Sequence, residues 1–444
     1  FNVLSPESAA PEEALPEPSR FEKGPAYGMA LREEEASGSL DWPAYRCNPE
    51  RNGYQDLQAP HEPGVRWTVQ CSAPVTQPVC AGGMVYIAET DQHVLRAFDA
   101  GSGEPEWSFA ADGRIDSPPS ISGRHCVFGT RSGSVYCLDT DAGELVWRFR
   151  AAPRGRLLYA SGRLESAWPI HGSVLIDSSE AGGLVYFAAG RSSHLDGGIR
   201  LYCLDIETGE VRHSATVTKS FASNGESILK ADALPDILSM RDGSLFMRQL
   251  RLDRELRGQR TNVPHLFSPA GFLDDTWWHR TYWVFGTQMS SGWGGWPRAG
   301  NVTPAGRLLV FDDEGSIYGY GRQSYRAGAG HVGPDPAEDY RLFAEGPADE
   351  SNPKGGRTFE WSRKLPFVVR AMTLTREALL IAGGEGLPAT DRKGSPGIFR
   401  IVSRDSGDER FQCTLPAPPV LDGMAVTDSG VFVSTVDGKL VCLR

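Results

Sequence analysis

The chain has 444 residues, of which 40% are hydrophobic and 23% charged, with 51 glycines and 31 prolines. That composition supports a large core built from short strands and many turns rather than long helices. A formal net charge of −11 argues against a nucleic-acid partner, and there is no apolar run of about 18 residues that would read as a membrane-spanning helix.

The chain begins at Phe1 with no basic and apolar leader, which reads as a processed mature form or a fragment. Residues 1–40 differ from the rest. The stretch SPESAAPEEALPEPSRFEKGP is rich in Pro, Glu and Ala. It carries too little apolar surface to offset its ordering entropy, so an extended or disordered linker, or a strap laid across the body, is expected. Contacts between copies are expected to run through it. Residues 41–444 are expected to form one domain.

From about residue 64 a unit repeats. LRAFDAGSGEPEWSF is followed by VYCLDTDAGELVWRF, LYCLDIETGEVRHS and FRIVSRDSGDERFQ. Asp99, Asp139 and Asp205 end apolar strands, with Ser403 in the fourth copy. Gly103, Gly143, Gly209 and Gly407 follow four residues later, and Trp107, Trp147, His213 and Phe411 four residues after those. The Asp carboxylate can accept backbone N–H groups and start a turn, and the Gly supplies positive φ. Each unit also holds an earlier strand pair, such as PSISGRHCVFGT. Four strands in roughly 40 residues is the period of a β-propeller blade. The fold predicted is all-β, a propeller with seven blades favoured and eight left open. Clear blades are expected at 74–109, 116–149, 172–214, 365–413 and 418–444, and two irregular ones between 225 and 322. The last segment lacks a strand that GVRWTVQ, residues 64–70, can supply, closing the ring with the two ends of the domain.

Eight cysteines are present and none forms a CxxC pair, which disfavours zinc ribbons and thioredoxin chemistry. Cys137, Cys203 and Cys442 sit in apolar strands and read as buried small hydrophobes. Cys71 with Cys80, or Cys126 with Cys137, could bridge neighbouring strands in an exported chain.

The unit VYCLDTDAGELVWRF resembles the tryptophan-docking repeat of the PQQ-binding-like, or quinoprotein-type, β-propellers. That family includes quinoprotein alcohol dehydrogenases and outer-membrane assembly lipoprotein propellers. DWPAYRCNPERNGY, residues 41–54, looks like a segment that often precedes such propellers in exported bacterial proteins. WPIHGSVL, GRSSHLDGGIRLY and HRTYW are similar to stretches in propeller regions of planctomycete-type bacteria. The resemblance implies a bacterial, periplasmic or extracellular protein. Quinoprotein dehydrogenases carry a vicinal Cys-Cys pair over PQQ and a Glu/Asn/Asp calcium site. The sequence has no two consecutive cysteines, so PQQ is not expected.

The departures from the repeat are the candidate sites. One cluster holds Glu165, Trp168 and His171. A second holds Arg191, His194 and Asp196. A third, PHLFSPAGFLDDTWWHRTYW, holds His265, Asp275, His279, Arg280 and Tyr282. Loops from separate blades can converge on one channel mouth. Histidines there suit metal ligation, which leaves a divalent metal open, or general-base work. Arg191 and Arg280 suit bidentate recognition of a carboxylate. SSGWGGWPRAGN, residues 290–301, offers tryptophans for stacking. With no complete catalytic motif, the reading favoured is a noncatalytic exported module that binds protein or polysaccharide through its channel face. The alternative is a polysaccharide lyase, with His171, His194 or His279 as base, Tyr282 as acid and Arg191 or Arg280 neutralising a uronate carboxylate. A quinoprotein dehydrogenase ranks third.

Overall fold

The computed structural model describes residues 20–29, 40–72, 74–160, 162–179, 182–219, 228–277, 281–287, 302–322, 340–346, 357–386 and 394–444. Strands and turns dominate, with one short 3-10 helix, Thr90–Gln92, among the named elements. Eight sheets, antiparallel but for a short parallel strand at the edge of blade 3, follow one another in chain order around an axis, forming an eight-bladed β-propeller. This is the count that the repeat left open beside seven. Three irregular blades, not two, lie between the regular ones, at 239–252, 265–306 and 308–363. The third escaped the repeat count because its outer strands, Tyr340–Glu345 and Trp361–Arg363, lie beyond residue 322.

The ring closes as expected. Val65–Gln70 pairs with the last strand, Lys439–Leu443, as the outer strand of its sheet, so both ends of the domain share blade 8.

The repeat signature has a definite geometry. In blade 1 the Asp99 carboxylate accepts the Ser102 N–H at 2.7 Å, and in blade 3 Asp205 accepts that of Thr208 at 2.9 Å. The glycine that follows has positive φ, as at Gly143 (67°). Conformation is only half of the requirement. The indole of the preceding blade lies on that glycine: a Cβ on Gly143 would stand 2.5 Å from the ring of Trp107. The same indole donates its N–H to the turn beneath it. Trp67 bonds Ala100 O at 3.1 Å, Trp107 bonds Thr140 O at 2.7 Å, Trp147 bonds Ile206 O at 2.7 Å and Trp361 bonds Arg404 O at 2.8 Å. The tryptophan therefore belongs functionally to the next blade rather than to its own turn. The core lies mainly between adjacent blades. One cluster joins Val127 and Trp147 of blade 2 to Val185 and Tyr202 of blade 3.

Three additions sit on this frame, one of them the short parallel strand Ile228–Leu229 on the outer edge of blade 3. Phe21–Lys23 forms a fifth strand on the outer edge of blade 2, with Phe21 opposite Phe149. That strand falls within residues 1–40, the stretch rich in Pro, Glu and Ala. Between blades 2 and 3 a hairpin is inserted, Leu157–Ala160 with Arg163–Ser166.

All eight cysteines are free thiols, and all but the half-buried Cys413 are buried. Cys126 and Cys137 cannot bridge within their sheet: Cys126 faces Leu138 and Cys137 faces Val127, which directs the two side chains to opposite sides.

Candidate functional site

Because successive strands are antiparallel, their connections alternate between two faces. Turns such as 82–83 and 139–143 are short and mark one face. The other carries the longer connections: 111–119, 130–133, 151–174, 190–198 and 230–238.

The channel is closed from the short-turn side by the chain itself. Residues 41–57 touch all eight blades. Trp42 bridges Cys80 of blade 1, and Pro43 O accepts Ile121 N of blade 2 at 2.7 Å. Arg51 donates to Val174 O before blade 3 and to Leu238 O entering blade 4, at 3.3 and 3.1 Å. Arg46 lies over the Trp283 ring of blade 5 at 4.3 Å and donates to Leu309 O of blade 6. Gly53 O accepts Leu374 N of blade 7 at 2.8 Å. Arg46 also donates from Nη1 to both carboxylate oxygens of Asp422 of blade 8, at 3.0 and 3.1 Å. Arg46, Cys47, Arg51 and Gly53 have positive φ, which coils the segment into a compact plug. Arg51 is wholly buried and holds three carbonyls, the third being Tyr45 O at 2.9 Å. Burial pulls its pKa down to about 10, which leaves it protonated at neutral pH.

The sequence reading took this segment as a leading stretch and missed its role as a plug. The signal was present: two arginines among Pro, Asn and Gly turn-formers, with three aromatic residues, outside any repeat unit.

The predicted site residues lie toward the loop-bearing face, and most are engaged locally. Asp196, at φ 54°, receives the Arg191 guanidinium, with Nε at 3.1 Å, and Arg156 at 3.2 Å. Its carbonyl accepts the Trp168 indole N–H at 3.1 Å. These bonds pin the loop to the base of the inserted hairpin. His265 is buried, stacked on Phe246 at 3.8 Å, with Nε2 2.8 Å from Arg248 O. Burial lowers its pKa, and the ring serves packing. Asp275 binds Arg307 at 2.9 Å and Arg370 at 3.4 Å. Tyr282 is buried in a small cluster with Phe267, Val284 and Ala305. His279, Arg280 and the 290–301 loop lie outside the described residues.

His171 and His194 differ from the others. Burial, with Arg131 adding to it, depresses His171 to about 4, so its imidazole is neutral near pH 7. Its Nε2 is buried and has no hydrogen-bond partner among the described residues. His194 is exposed, with Nε2 2.8 Å from Asp232, which also binds Lys219. It borders a cavity of about 490 Å³ lined by Ser192, Leu234, Met247 and Arg248, among others. No bond joins the two histidines. Among the described residues, no group of three or more His, Cys, Asp or Glu side chains is placed to hold a metal ion.

A family model described as outer membrane protein assembly factor BamB matches residues 62–116, 91–164 and 131–250. Its matched stretches cover three of the docked tryptophans, Trp67, Trp107 and Trp147, and not Trp361. Over residues 62–250 the chain resembles this PQQ-like repeat family.

Solved structures share this fold. A quinohaemoprotein alcohol dehydrogenase of Pseudomonas putida HK5 aligns over 91% of this chain and 80% of its own, at 11% identity and a TM-score of 0.56. A europium-containing methanol dehydrogenase aligns over 88% and 89%, at 13% identity and a TM-score of 0.53. At these identities the likeness is one of fold. No curated protein sequence matches the chain. The propeller has a protein plug on the channel axis and no two consecutive cysteines.

Proposed function

We propose that this propeller is a noncatalytic module, exported from a bacterial cell, that binds a partner protein through its loop-bearing face. The observation that carries the reading is the plug. A channel filled by Tyr45, Arg46 and Arg51, with contacts to every blade, is built for rigidity rather than for holding a cofactor there. The family match supports a protein partner, since the matching model is described as an assembly factor. The lyase reading gains nothing from the described residues. Tyr282 is buried, and Arg191 is committed to Asp196.

The loop-bearing face has the character of an interaction surface. Leu195 and Leu234 are 46% and 50% exposed there, beside the His194 cavity. Photo-crosslinking residues placed at these two positions in the native host are expected to capture one discrete protein. The same residue at Val211, beside a short turn on the opposite face, is expected to capture none. Equal capture from both faces would remove the assignment. PQQ-dependent dye reduction by the purified protein, supplied with PQQ and calcium, would overturn the noncatalytic reading.

A further inference from the structure

A second cavity, of about 370 Å³, lies between the outer strands of blades 3 and 4. Three stretches of chain wall it. Leu229 ends the parallel strand at the edge of blade 3, and Lys230 follows it. Leu250–Leu252 is the edge strand of blade 4, entered from Gln249. Arg260 comes from the stretch that returns beside that strand. Blade 4 has three strands among the described residues, where blades 1 and 7 have four. Its outer edge is met by a short return instead, through Leu252 opposite Gly258 and the Gln259 N–H on Arg251 O at 3.0 Å. A partly covered edge leaves the space.

The walls carry positive charge and no negative charge. Lys230, Arg251 and Arg260 line the cavity, and no Asp or Glu among the described residues does. This departs from the rest of blade 4. Arg241 faces Glu50 at 3.6 Å, Arg248 faces Asp236 at 3.6 Å, Arg254 binds Asp177 at 3.2 Å and Arg257 faces Asp253 at 3.5 Å. Arg251 instead donates to Thr261 O and Thr287 O, and its Nε is buried without a hydrogen-bond partner. Arg260 is exposed. Neither meets a carboxylate among the described residues. The acid that follows Ala231, Asp232, lines the neighbouring His194 cavity and is engaged by Lys219 and His194.

A guanidinium held by carbonyls alone keeps its full charge, and partial burial reduces its screening by water. Two such groups and an ammonium around one space focus a positive field and concentrate small anions there, even in a chain of net charge −11. The placement of the donors selects among anions. Lys230, Gln249 and Arg260 stand on three different walls. A carboxylate offers two oxygens in one plane and is best met by a single fork. A phosphate or sulfate group spreads its oxygens tetrahedrally and can be reached from several walls.

We propose that this cavity binds a tetrahedral oxyanion, the phosphate or sulfate group of a ligand, with Arg260 and Lys230 as donors and Arg251 as a fixed charge behind them. The site adjoins the His194 cavity through Ala231, Gln249 and Leu250. It does not depend on which protein the loop-bearing face engages.

Isothermal titration calorimetry of the full chain with inorganic phosphate, inorganic sulfate and acetate, at matched ionic strength, tests it. Phosphate or sulfate is expected to saturate a single site, and the tighter of the two names the group that the natural ligand carries. Acetate is expected to bind about tenfold more weakly. Arg260→Gln removes one charged donor and should weaken the preferred ion about tenfold. Arg154→Gln is the control, at an exposed arginine that also meets no carboxylate among the described residues and lies away from this cavity. It should leave binding unchanged. Both side chains are exposed, and neither substitution should alter the circular dichroism spectrum. Heat that does not saturate with either ion, an equal loss in Arg154→Gln, or acetate bound as tightly as phosphate and sulfate would each overturn the proposal.

Discussion

Two arcs of the ring hold their blades together by different means. At the 8/1, 1/2, 2/3 and 6/7 interfaces an indole lies on a glycine and donates to a fixed carbonyl of the next blade. Through blades 4 to 6, guanidinium groups do comparable work. Arg248 donates to Ala270 O at 2.9 Å and to Pro269 O, and Arg251 to Thr261 O and Thr287 O. Arg307 donates to Asp274 O and Thr281 O, both at 2.9 Å. The difference follows from backbone chemistry. A repeated turn always presents the same carbonyl in the same place, and a single rigid N–H suffices. Irregular loops leave carbonyls scattered, and buried carbonyls need partners. Five donors on a flexible stem can reach several of them. The plug extends this second method to the axis, where Arg51 ties blades 3 and 4.

The largest expected effect is on the regular arc. Trp147→Ala removes a fully buried indole and its bond to Ile206 O and should cost about 3–5 kcal/mol in urea unfolding. Trp67→Ala, at a half-buried ring in the closing blade, should cost less. Equal losses would show that burial does not rank the docking sites.

Arg51→Met tests the other method. It keeps much of the side-chain volume but strips partners from the carbonyls of Tyr45, Val174 and Leu238. A loss of about 2–4 kcal/mol is expected, since each orphaned buried acceptor costs about 1–3 kcal/mol before relaxation. Hydrogen exchange should accelerate first around residues 174 and 238. A uniform rise over the whole ring would mean that the plug acts on global stability rather than on the irregular arc.

Gly143→Ala isolates the contact between indole and glycine. An added Cβ would be 2.5 Å from the Trp107 ring, at a φ of 67°. A loss of about 1–3 kcal/mol is expected from the strained φ and the displaced ring. At Gly123, also at positive φ but with open space around it, the same substitution carries only the conformational part.

How legible these arcs were in the sequence follows the same division. Asp139, Gly143 and Trp147 recur at fixed spacing because one geometry is built several times, so the regular blades and the ring closure could be read directly. The irregular blades and the plug satisfy their backbone with long side chains reaching across many residues, as Arg46 does to Asp422. Such pairings leave no local period. The candidate site suffered in the same way. Arg191 and Asp196 were singled out for polarity between glycines, and their spacing gave no warning that they would lock onto each other and onto Arg156. His265 sat in an unusual segment but belongs to an aromatic stack.

The smallest effect expected is on pH dependence, and it sets two buried groups near the loop-bearing face, His171 before blade 3 and Asp236 before blade 4, against each other. His171 is depressed from 6.5 to about 4, by burial first and Arg131 second. The unfolded chain binds this proton more readily than the folded one. Its contribution is therefore complete above pH 6.5 and is lost as pH falls toward 4. Asp236 is raised from 3.8 to about 6, chiefly by burial, although Arg248 opposes the shift. Here the folded chain holds the proton more tightly, so stability is lost as pH rises from 4 through 6. Between pH 4 and 6 the two slopes oppose each other and the unsubstituted chain should show a shallow dependence. His171→Gln removes one of them. Relative to the parent, its urea midpoint should rise as pH falls from 6.5 to 4, by an amount equivalent to about 1–3 kcal/mol. Asp236→Asn should tilt the curve the other way, its relative midpoint falling over the same range. If both variants run parallel to the parent from pH 4 to 7, neither group titrates with folding, and the surroundings of His171 and Asp236 are wetter than their burial indicates.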